Sequence, residues 1–489
     1  MSLKSRIISG GMLVGLSQAL IMALSFGRNM IIARIVSIPD MGIAATIALA
    51  LQIVESASEM NVNQLIIQSK EGDDPRLQSN AHTFMVLRGL ITALILVTSG
   101  GPLARFFGVP DAAWAFRMMA LAPVLRGFVH QDLWRYHRSM NFGPLVRVEL
   151  ISQMVALLAA WPLAKWLGDY SVMLWVILIQ VSIFAIMSHI ANERPYRLGM
   201  DLSYVMSILR FGWPLLINGV LILFLNYGDR FVIAAFPAYS MTDVGLYMVA
   251  SSVTLMPTML VCKLAGTIIL PALAKEQDNP ERFANQFRAI TSAVGFAAIL
   301  QSTLLIIAGP SVVVLFFGEK YVPVAAFFGW LAAGVGVRVL RLSPTLGALA
   351  LGDSQNTLNA NIARCSGFVV AIVAASLGAG LQWLAIAGFL GELISLVVSS
   401  LSLAYRRSVF DPSVVFATLL LLLAIAVSMG LFHLICGSEL VLVAPLLVAA
   451  GVGIVMIAAC ILYFERPRKE LYKLVFEAQI ARRLVLKRP

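Results

Sequence analysis

The chain has 489 residues, 60% of them apolar and only 12% charged, with a formal net charge of +11 and a mean hydropathy of +0.88. That balance excludes a soluble globular domain. The positive charge does not point to nucleic acid as a partner, because eight basic residues gather in one segment from Arg466 to Arg488 and the rest follow the loops between apolar runs.

A helix needs about 20 mostly apolar residues to cross roughly 30 Å of hydrocarbon. The sequence predicts fourteen such helices, at 7–36, 40–66, 81–107, 112–134, 147–167, 170–192, 209–236, 243–269, 288–316, 321–347, 356–378, 382–404, 413–436 and 439–463. Their runs are unbroken rather than alternating, which predicts an all-α polytopic membrane protein and not a barrel. The first run contains Arg28 and no cleavage motif, so it reads as a span rather than a signal peptide. The segment 464–489 mixes Leu471, Leu474, Val475, Phe476 and Ile480 with Lys and Arg. Two readings fit it, an amphipathic cytoplasmic helix on anionic membrane lipids or a solvated anchor.

Every second connection is basic: Lys70 and Arg76, Arg135 and Arg138, Arg194 and Arg197, Lys275 and Arg282, Arg406 and Arg407. The positive-inside rule then predicts that both termini are cytoplasmic. The opposite turns are short and carry Asp40, Asp111, Asp169, Asp243, Glu319 and Glu439, expected to cap the helices that follow. The chain also echoes itself. Asp40-Met41-Gly42 returns as Asp243-Val244-Gly245, and Gln64-Leu65-Ile66-Ile67 as Thr267-Ile268-Ile269-Leu270. Phe106-Phe107-Gly108 returns as Phe316-Phe317-Gly318, and the segment ending in Arg126 is answered by the one ending in Arg338. The expected organisation is an N-lobe over 1–200, a C-lobe over 201–410, two further spans over 411–463 and the tail. Repeats of this kind in a membrane protein point to a transporter with its site between the halves.

An ionised group near the bilayer centre costs roughly 2.5–3.5 kcal/mol, so a deep charge implies a partner, a water-filled cavity or a ligand. Arg28 lies deep in the first span. Arg34 lies nearer the surface and reads either as part of a site or as an interfacial anchor. Glu55, Glu59 and Asn63 recur every four residues, with Gln52 extending the line, which predicts one polar stripe along a single helix. The two glutamates read either as proton or cation sites or as structural partners of Arg28 or Arg88. In the seventh span stand Asn218, Asn226, Asp229 and Arg230. Arg230 falls one position from the counterpart of Arg28, so the two arginines are expected to approach one cavity from opposite lobes, and Lys263 falls one position from the counterpart of Glu59. Pro214 and Pro257 are expected to interrupt their helices. Asp229 and Arg230 could also form a local ion pair, although neighbours on a helix face each other poorly. His130, Asp132 and His137 have spacing that admits a metal, but their basic neighbours place them at a cytoplasmic rim. No metal site, cofactor or catalytic residue is expected: G-x-S-x-G, P-loop and H-E-x-x-H motifs are missing from the sequence. Cys262, Cys365, Cys436 and Cys460 show no framework spacing and read as packing residues.

Phe26-Gly27-Arg28, Ala33-Arg34-Ile35-Val36 and Ser37-Ile38-Pro39-Asp40-Met41-Gly42 resemble the opening of bacterial polysaccharide flippases, with Met41 where an aromatic usually stands. Asp229-Arg230 and Val244-Gly245-Leu246-Tyr247 resemble that family's second half. The resemblance spans about the first 410 residues. It implies the fold of the multidrug and oligosaccharidyl-lipid exporter superfamily: two pseudo-symmetric six-helix lobes, MATE-like, with two helices added here. It further implies that Arg28 and Arg34 hold a substrate pyrophosphate, as first-span arginines do in lipid II flippases. Within the family the chain is most similar to exopolysaccharide transporters of the succinoglycan type. The implied function is alternating-access flipping of an undecaprenyl-pyrophosphate-linked oligosaccharide, with a polysaccharide polymerase and a chain-length regulator as partners. Arginine forks suit phosphate oxygens, and Asn218, Asn226, Gln52 and Asn63 are expected to face the sugars. A multidrug or organic-cation antiporter on the same fold would want an anionic cavity, which Arg28, Arg230 and Lys263 argue against. A polymerase or ligase would want a large outer loop, and the outer connections are short.

Overall fold

The structure is a computed structural model that describes residues 3–407, 409, 411–436 and 443–463, with side chains from 15 onward except those of 218 and 459–463. Among the described residues all regular structure is helical. In the first half the helices are α1 (Leu3–Ile35), α2 (Ile38–Ser56), α3 (Val62–Gln68), α4 (Pro75–Phe106), α5 (Ala113–Met118), α6 (Leu121–Gly127), α7 (Asp132–Arg138), α8 (Gly143–Leu167) and α9 (Ser171–Ile190). The second half holds α10 (Leu202–Ala235), α11 (Met241–Ala274), α12 (Pro280–Phe317), α13 (Ala325–Ala350), α14 (Ser354–Ser376) and α15 (Leu381–Arg407). Then follow α16 (Pro412–Cys436) and α17 (Val443–Tyr463), which both pack on α12. The expected tail helix lies outside the described residues.

Twelve helices among the described residues are long and apolar enough to cross a membrane, or thirteen if the bent run from Pro110 to Arg138 counts as one. Val443–Ala458 is a shorter apolar stretch. The protein is therefore a multi-pass membrane protein. Its periphery carries large apolar side chains, such as Leu158, Trp166 and Ile190, that only a lipid surround leaves without cost.

Two expected spans are not single helices. The run 40–66 breaks after Ser56, where Ser58 donates its hydroxyl back to the Glu55 carbonyl and Asn61 takes a left-handed conformation, φ 48°. Polar side chains that bond their own backbone compete with the helix there, and Glu59 accepts the Asn61 N–H instead of extending a stripe. The run 112–134 bends by 55° between α6 and α7, at Phe128 to Gln131. By contrast α10 and α11 continue unbroken through Pro214 and Pro257. The acids of the short turns stand at helix starts, though the N-cap positions go to other residues, and Glu439 lies outside the described residues. Ser37 and Ser240 are the N-caps, Asp40 and Asp243 stand at the third helical position, and Ser240 with Asp243 completes a capping box.

Within the first half α1 packs on α8, α8 on α9, and α4 on α5 and α6. Within the second, α13 packs on α12 and α15, α14 on α15, and α11 on α13. The halves meet chiefly where α2 crosses α11, at the short-loop end. A methyl group on Gly42 would fall on the Met241 carbonyl, and one on Gly245 would fall on the Ile38 carbonyl. The repeated Asp-x-Gly motif is thus a pair of reciprocal notches, each accepting the first turn of the other helix. Overpacking of this kind costs about 1–3 kcal/mol. Gly42→Val and Gly245→Val should each lower the thermal midpoint of the purified protein by several degrees, and the pair should not add because both act on one crossing. A double variant melting like wild type would show the crossing to be loose.

Candidate functional site

The break after Ser56 sets up a polar cavity at the basic-loop end of the first half. It encloses about 220 Å³ and is lined by Glu55, Glu59, Asn63, Arg88, Arg126 and Gln131. Arg88 pairs with Glu59 at 2.8 Å, and Arg126 pairs with buried Glu55. Arg88 also donates to the Glu55 carbonyl at the exposed end of α2, where a cation complements the helix dipole. The stripe expected from the sequence is divided accordingly. Gln52 bonds Ser56 and lines a different cavity, while Asn63 accepts from the next backbone N–H on α3. Of the two expected structural partners of the glutamates, Arg88 is present and Arg126 takes the place of Arg28.

Arg28 is 9% exposed and spends its charge inside its own half. Its Nη1 donates to Gln180 on α9 at 2.5 Å, and Nη2 donates to Ser25 at 3.4 Å. Arg230 lines a cavity of about 160 Å³ between α2, α10 and α11, together with Gln52, Tyr227 and Met248. Its guanidinium lies over the Tyr227 ring, 5.2 Å from the centroid, and its Nε is buried without a hydrogen-bond partner. The two arginines expected to share one cavity therefore have separate surroundings, because α1 packs against α8 and turns Arg28 toward α9. Asp229 forms no ion pair with Arg230. It accepts from the Tyr247 hydroxyl at 2.8 Å and from the Arg230 backbone N–H. Lys263 is exposed, and the charge that it faces is Glu149 on α8, which also accepts from Gln18. The Asn218 side chain lies outside the described residues.

Arg34 belongs to the closure between the halves. Its Nε and Nη2 donate to the Phe316 and Leu315 carbonyls, at 2.8 and 2.5 Å, at the end of α12. Lys320 returns the contact, donating to the Val36 carbonyl at 2.5 Å beyond the end of α1. Each half thus offers a cation to the carbonyl end of a helix in the other. Beside them the repeated Phe-Phe-Gly motif closes both flanks. Phe26 meets Phe316 and Phe317, with centroids 5.7 and 5.4 Å away, and Phe231 meets Phe106 and Phe107 at 5.9 and 6.2 Å.

The largest concentration of buried charge was not anticipated as a site. Glu392 on α15, 4% exposed at its side chain, accepts from Arg338 Nε at 2.7 Å, lies 2.8 Å from Arg364 Nε and 3.4 Å from Arg341 Nε. Glu392, Arg338 and Arg364 border a cavity of about 340 Å³ within the second half, where Asn226 and Asp229 also stand. Arg338 is the repeat counterpart of Arg126, so related positions anchor a charge cluster in each half, half-exposed in the first and buried in the second. That echo was visible in the sequence. Proximity to Arg364 and Glu392 was not, since it depends on α13, α14 and α15 packing together.

Residues 31–326 match the model of the family described as "Polysaccharide biosynthesis protein". The chain is 22% identical over 413 residues to the lipopolysaccharide biosynthesis protein WzxC of Escherichia coli strain K12, covering 82% of this chain and 81% of that protein. It is 24% identical over 417 residues to the succinoglycan biosynthesis transport protein ExoT of Rhizobium meliloti strain 1021, covering 83% and 75%. Among solved structures, the lipid II flippase MurJ in an inward closed conformation superposes with a TM-score of 0.71 at 14% identity, over 92% of this chain and 99% of that one. An inward-facing multidrug resistance MATE family transporter gives 0.63 at 12%, over 80% and 94%. The fold is that of MurJ and the MATE transporters.

The reciprocal Arg34 and Lys320 contacts make a test of the closure. Replacing both by alanine removes charge-assisted hydrogen bonds worth about 1.5–3 kcal/mol each when partly desolvated. A single cysteine at Ala48, introduced in a variant lacking the native cysteines, should then react at least about tenfold faster with a membrane-impermeant maleimide supplied at the short-loop end. An unchanged rate would show that the aromatic pairs and the α2–α11 crossing hold the closure unaided.

Proposed function

This chain belongs to the polysaccharide biosynthesis protein family, and from that premise we propose that it flips an undecaprenyl-pyrophosphate-linked oligosaccharide across the bacterial inner membrane by alternating access. The observation that carries the reading beyond the family is the sign of the interior charge. Arg28 and Arg230 have no carboxylate partner among the described residues, and Glu392 is outnumbered by Arg338, Arg341 and Arg364. A surplus of guanidinium groups suits an anionic head group and repels organic cations, which disfavours multidrug antiport on the same fold. The short connections opposite the basic loops leave little protein to catalyse sugar transfer, so transport rather than polymerisation is the reading.

In this reading the basic loops and both termini face the cytoplasm, and the Arg34–Lys320 closure lies on the outer side. Arg28, Arg230 and Lys263 receive the pyrophosphate in different stages of transit, Arg34 takes part when the outer side opens, and Asn218 and Asn226 face the sugars. The polyprenyl tail stays in lipid. The relative WzxC is named for lipopolysaccharide biosynthesis and ExoT for succinoglycan transport. A polymerase and a chain-length regulator are the partners expected to take the product.

Arg28→Ala and Arg230→Ala should each reduce export although both proteins reach the membrane, because losing a charge-assisted contact costs about 1.5–3 kcal/mol, or roughly ten- to hundredfold in affinity. Lipid-linked oligosaccharide should accumulate on the inner leaflet and surface polymer should fall. Normal export by the double variant would remove these residues from the site. Lysine at 28 should restore export only in part, since it keeps the charge and loses the fork.

Glu55 and Glu59 carry the coupling in this proposal, by exchanging a proton or cation against their contacts with Arg126 and Arg88. Glu55→Gln or Glu59→Gln should change the pH or ion dependence of transport in proteoliposomes. A profile identical to wild type in both variants would leave the two ion pairs a purely structural role.

A further inference from the structure

We infer that the cavity within the second half binds a carboxylate-bearing sugar, an acidic residue of the transported oligosaccharide. The inference rests on the flippase reading for the larger molecule to which that sugar belongs.

The guanidinium geometry comes first. Arg338 donates its Nε–H to Oε1 of Glu392 at 2.7 Å, Arg364 Nε lies 2.8 Å from the same oxygen as an ion pair, and both residues line the cavity. Among the described residues no hydrogen bond engages the Nη nitrogens of either one, although Arg338 and Arg364 are 16% and 13% exposed at their side chains. Glu392 therefore fixes the plane of Arg338 by one edge and holds Arg364 by charge, and the remaining N–H donors of both are left for a ligand. Parallel donors in a fixed plane are what a carboxylate accepts in bidentate fashion. Arg341, 3.4 Å from the other Glu392 oxygen, adds charge with its Nε unbonded.

Charge decides the valence of the guest. Three guanidinium groups face Glu392, and the negative charge of Asp229 reaches two of them, Arg338 and Arg364. The surplus is one positive charge, 3 − 2, in the middle of three spans, where an uncompensated ion is costly. One carboxylate neutralises it. A pyrophosphate would overshoot, and its polyprenyl chain would have to leave lipid to bring it inside a single lobe.

The walls supply the rest. Trp330 and Phe389 stand with ring centroids 5.6 Å apart, and Phe224 and Phe368 are 6.4 Å apart on the other side. Rings of this kind offer apolar faces to the C–H face of a pyranose, while Asn226 and Ser251 line the same space and can meet hydroxyl groups. The volume, about 340 Å³, lies in the range of small-molecule sites.

The test uses the full-length protein in lipid nanodiscs, titrated with methyl glucuronide, methyl glucoside and inorganic pyrophosphate and followed by saturation-transfer NMR. Methyl glucuronide should bind at least about tenfold more tightly than the neutral glucoside, and Arg364→Lys, which keeps the charge and loses the fork, should abolish most of that preference. Should Arg364→Lys fail to fold, Phe389→Leu provides a second variant, expected to weaken both sugars alike. Equal affinity for the two sugars, or tighter binding of pyrophosphate than of the glucuronide, would overturn the assignment. A flipping assay separates this inference from the reading on which it rests. Wild type that moves acidic and neutral lipid-linked oligosaccharides equally, with Arg364→Lys unchanged, refutes the acidic-sugar site and leaves the flippase standing. Glucuronide binding that depends on Arg364, in a protein that flips neither lipid, supports the site and removes the flippase.

Discussion

An ionised group in hydrocarbon must be compensated where it stands, and this requirement shapes both halves of the protein. In the first half Glu55 and Glu59 face Arg126 and Arg88, two acids against two bases. In the second, Glu392 is surrounded by three arginines. Arg126 and Arg338 occupy related positions in the repeat, yet their acidic partners come from different helices, α2 and α15. The duplication has thus kept the cation and re-sourced the anion. That leaves the first cluster balanced and the second with positive charge to spare, an asymmetry suited to clusters with separate tasks.

The same duplication builds the joint. Ser37 and Ser240 start α2 and α11 with equivalent caps, the acids three residues on reinforce the first turns, and Gly42 and Gly245 let those turns approach backbone to backbone. Around this crossing lie Phe26 against Phe316 and Phe317, and Phe231 against Phe106 and Phe107. Motifs that look like unrelated echoes in the sequence are, in three dimensions, the two faces of one pseudo-symmetric contact.

Much of this was legible in the sequence because it depends on local pattern. Apolar runs place the helices, and repeated motifs reveal the halves. What the sequence concealed depends on side-chain competition and on packing. Nothing in the period of Glu55, Glu59 and Asn63 discloses that Ser58 and Asn61 end the helix between them. The depth of Arg28 was evident, but its direction was not, because Gln180 comes from a helix about 150 residues away. Arg34 sits where an interfacial anchor would, and only the approach of α12 turns it into a clasp between halves. Arg338 and Arg341 fall inside a predicted span, and nothing in the sequence pairs them with Glu392. In each case the residue type announced a charge that needed a partner, and the tertiary contact alone identified which.

The distribution of these contacts constrains how the halves can move. Breaking a buried ion pair such as those of Glu392 costs about 3–5 kcal/mol, and the clusters around Glu55 and Glu392 each lie wholly within one half. Rocking one lobe against the other leaves them intact. The contacts that such a motion must exchange are those of Arg34 and Lys320 with helix-end carbonyls, together with aromatic edges. Both kinds are individually weak, and water can replace the carbonyls at the exposed guanidinium. A transporter needs two states of similar energy separated by a barrier that a substrate can tip. Lobes that keep their ion-pair clusters internal, joined by a cheap, hydratable clasp, meet that condition, and they do so because the strong electrostatics were kept inside the lobes and the weak electrostatics were placed between them.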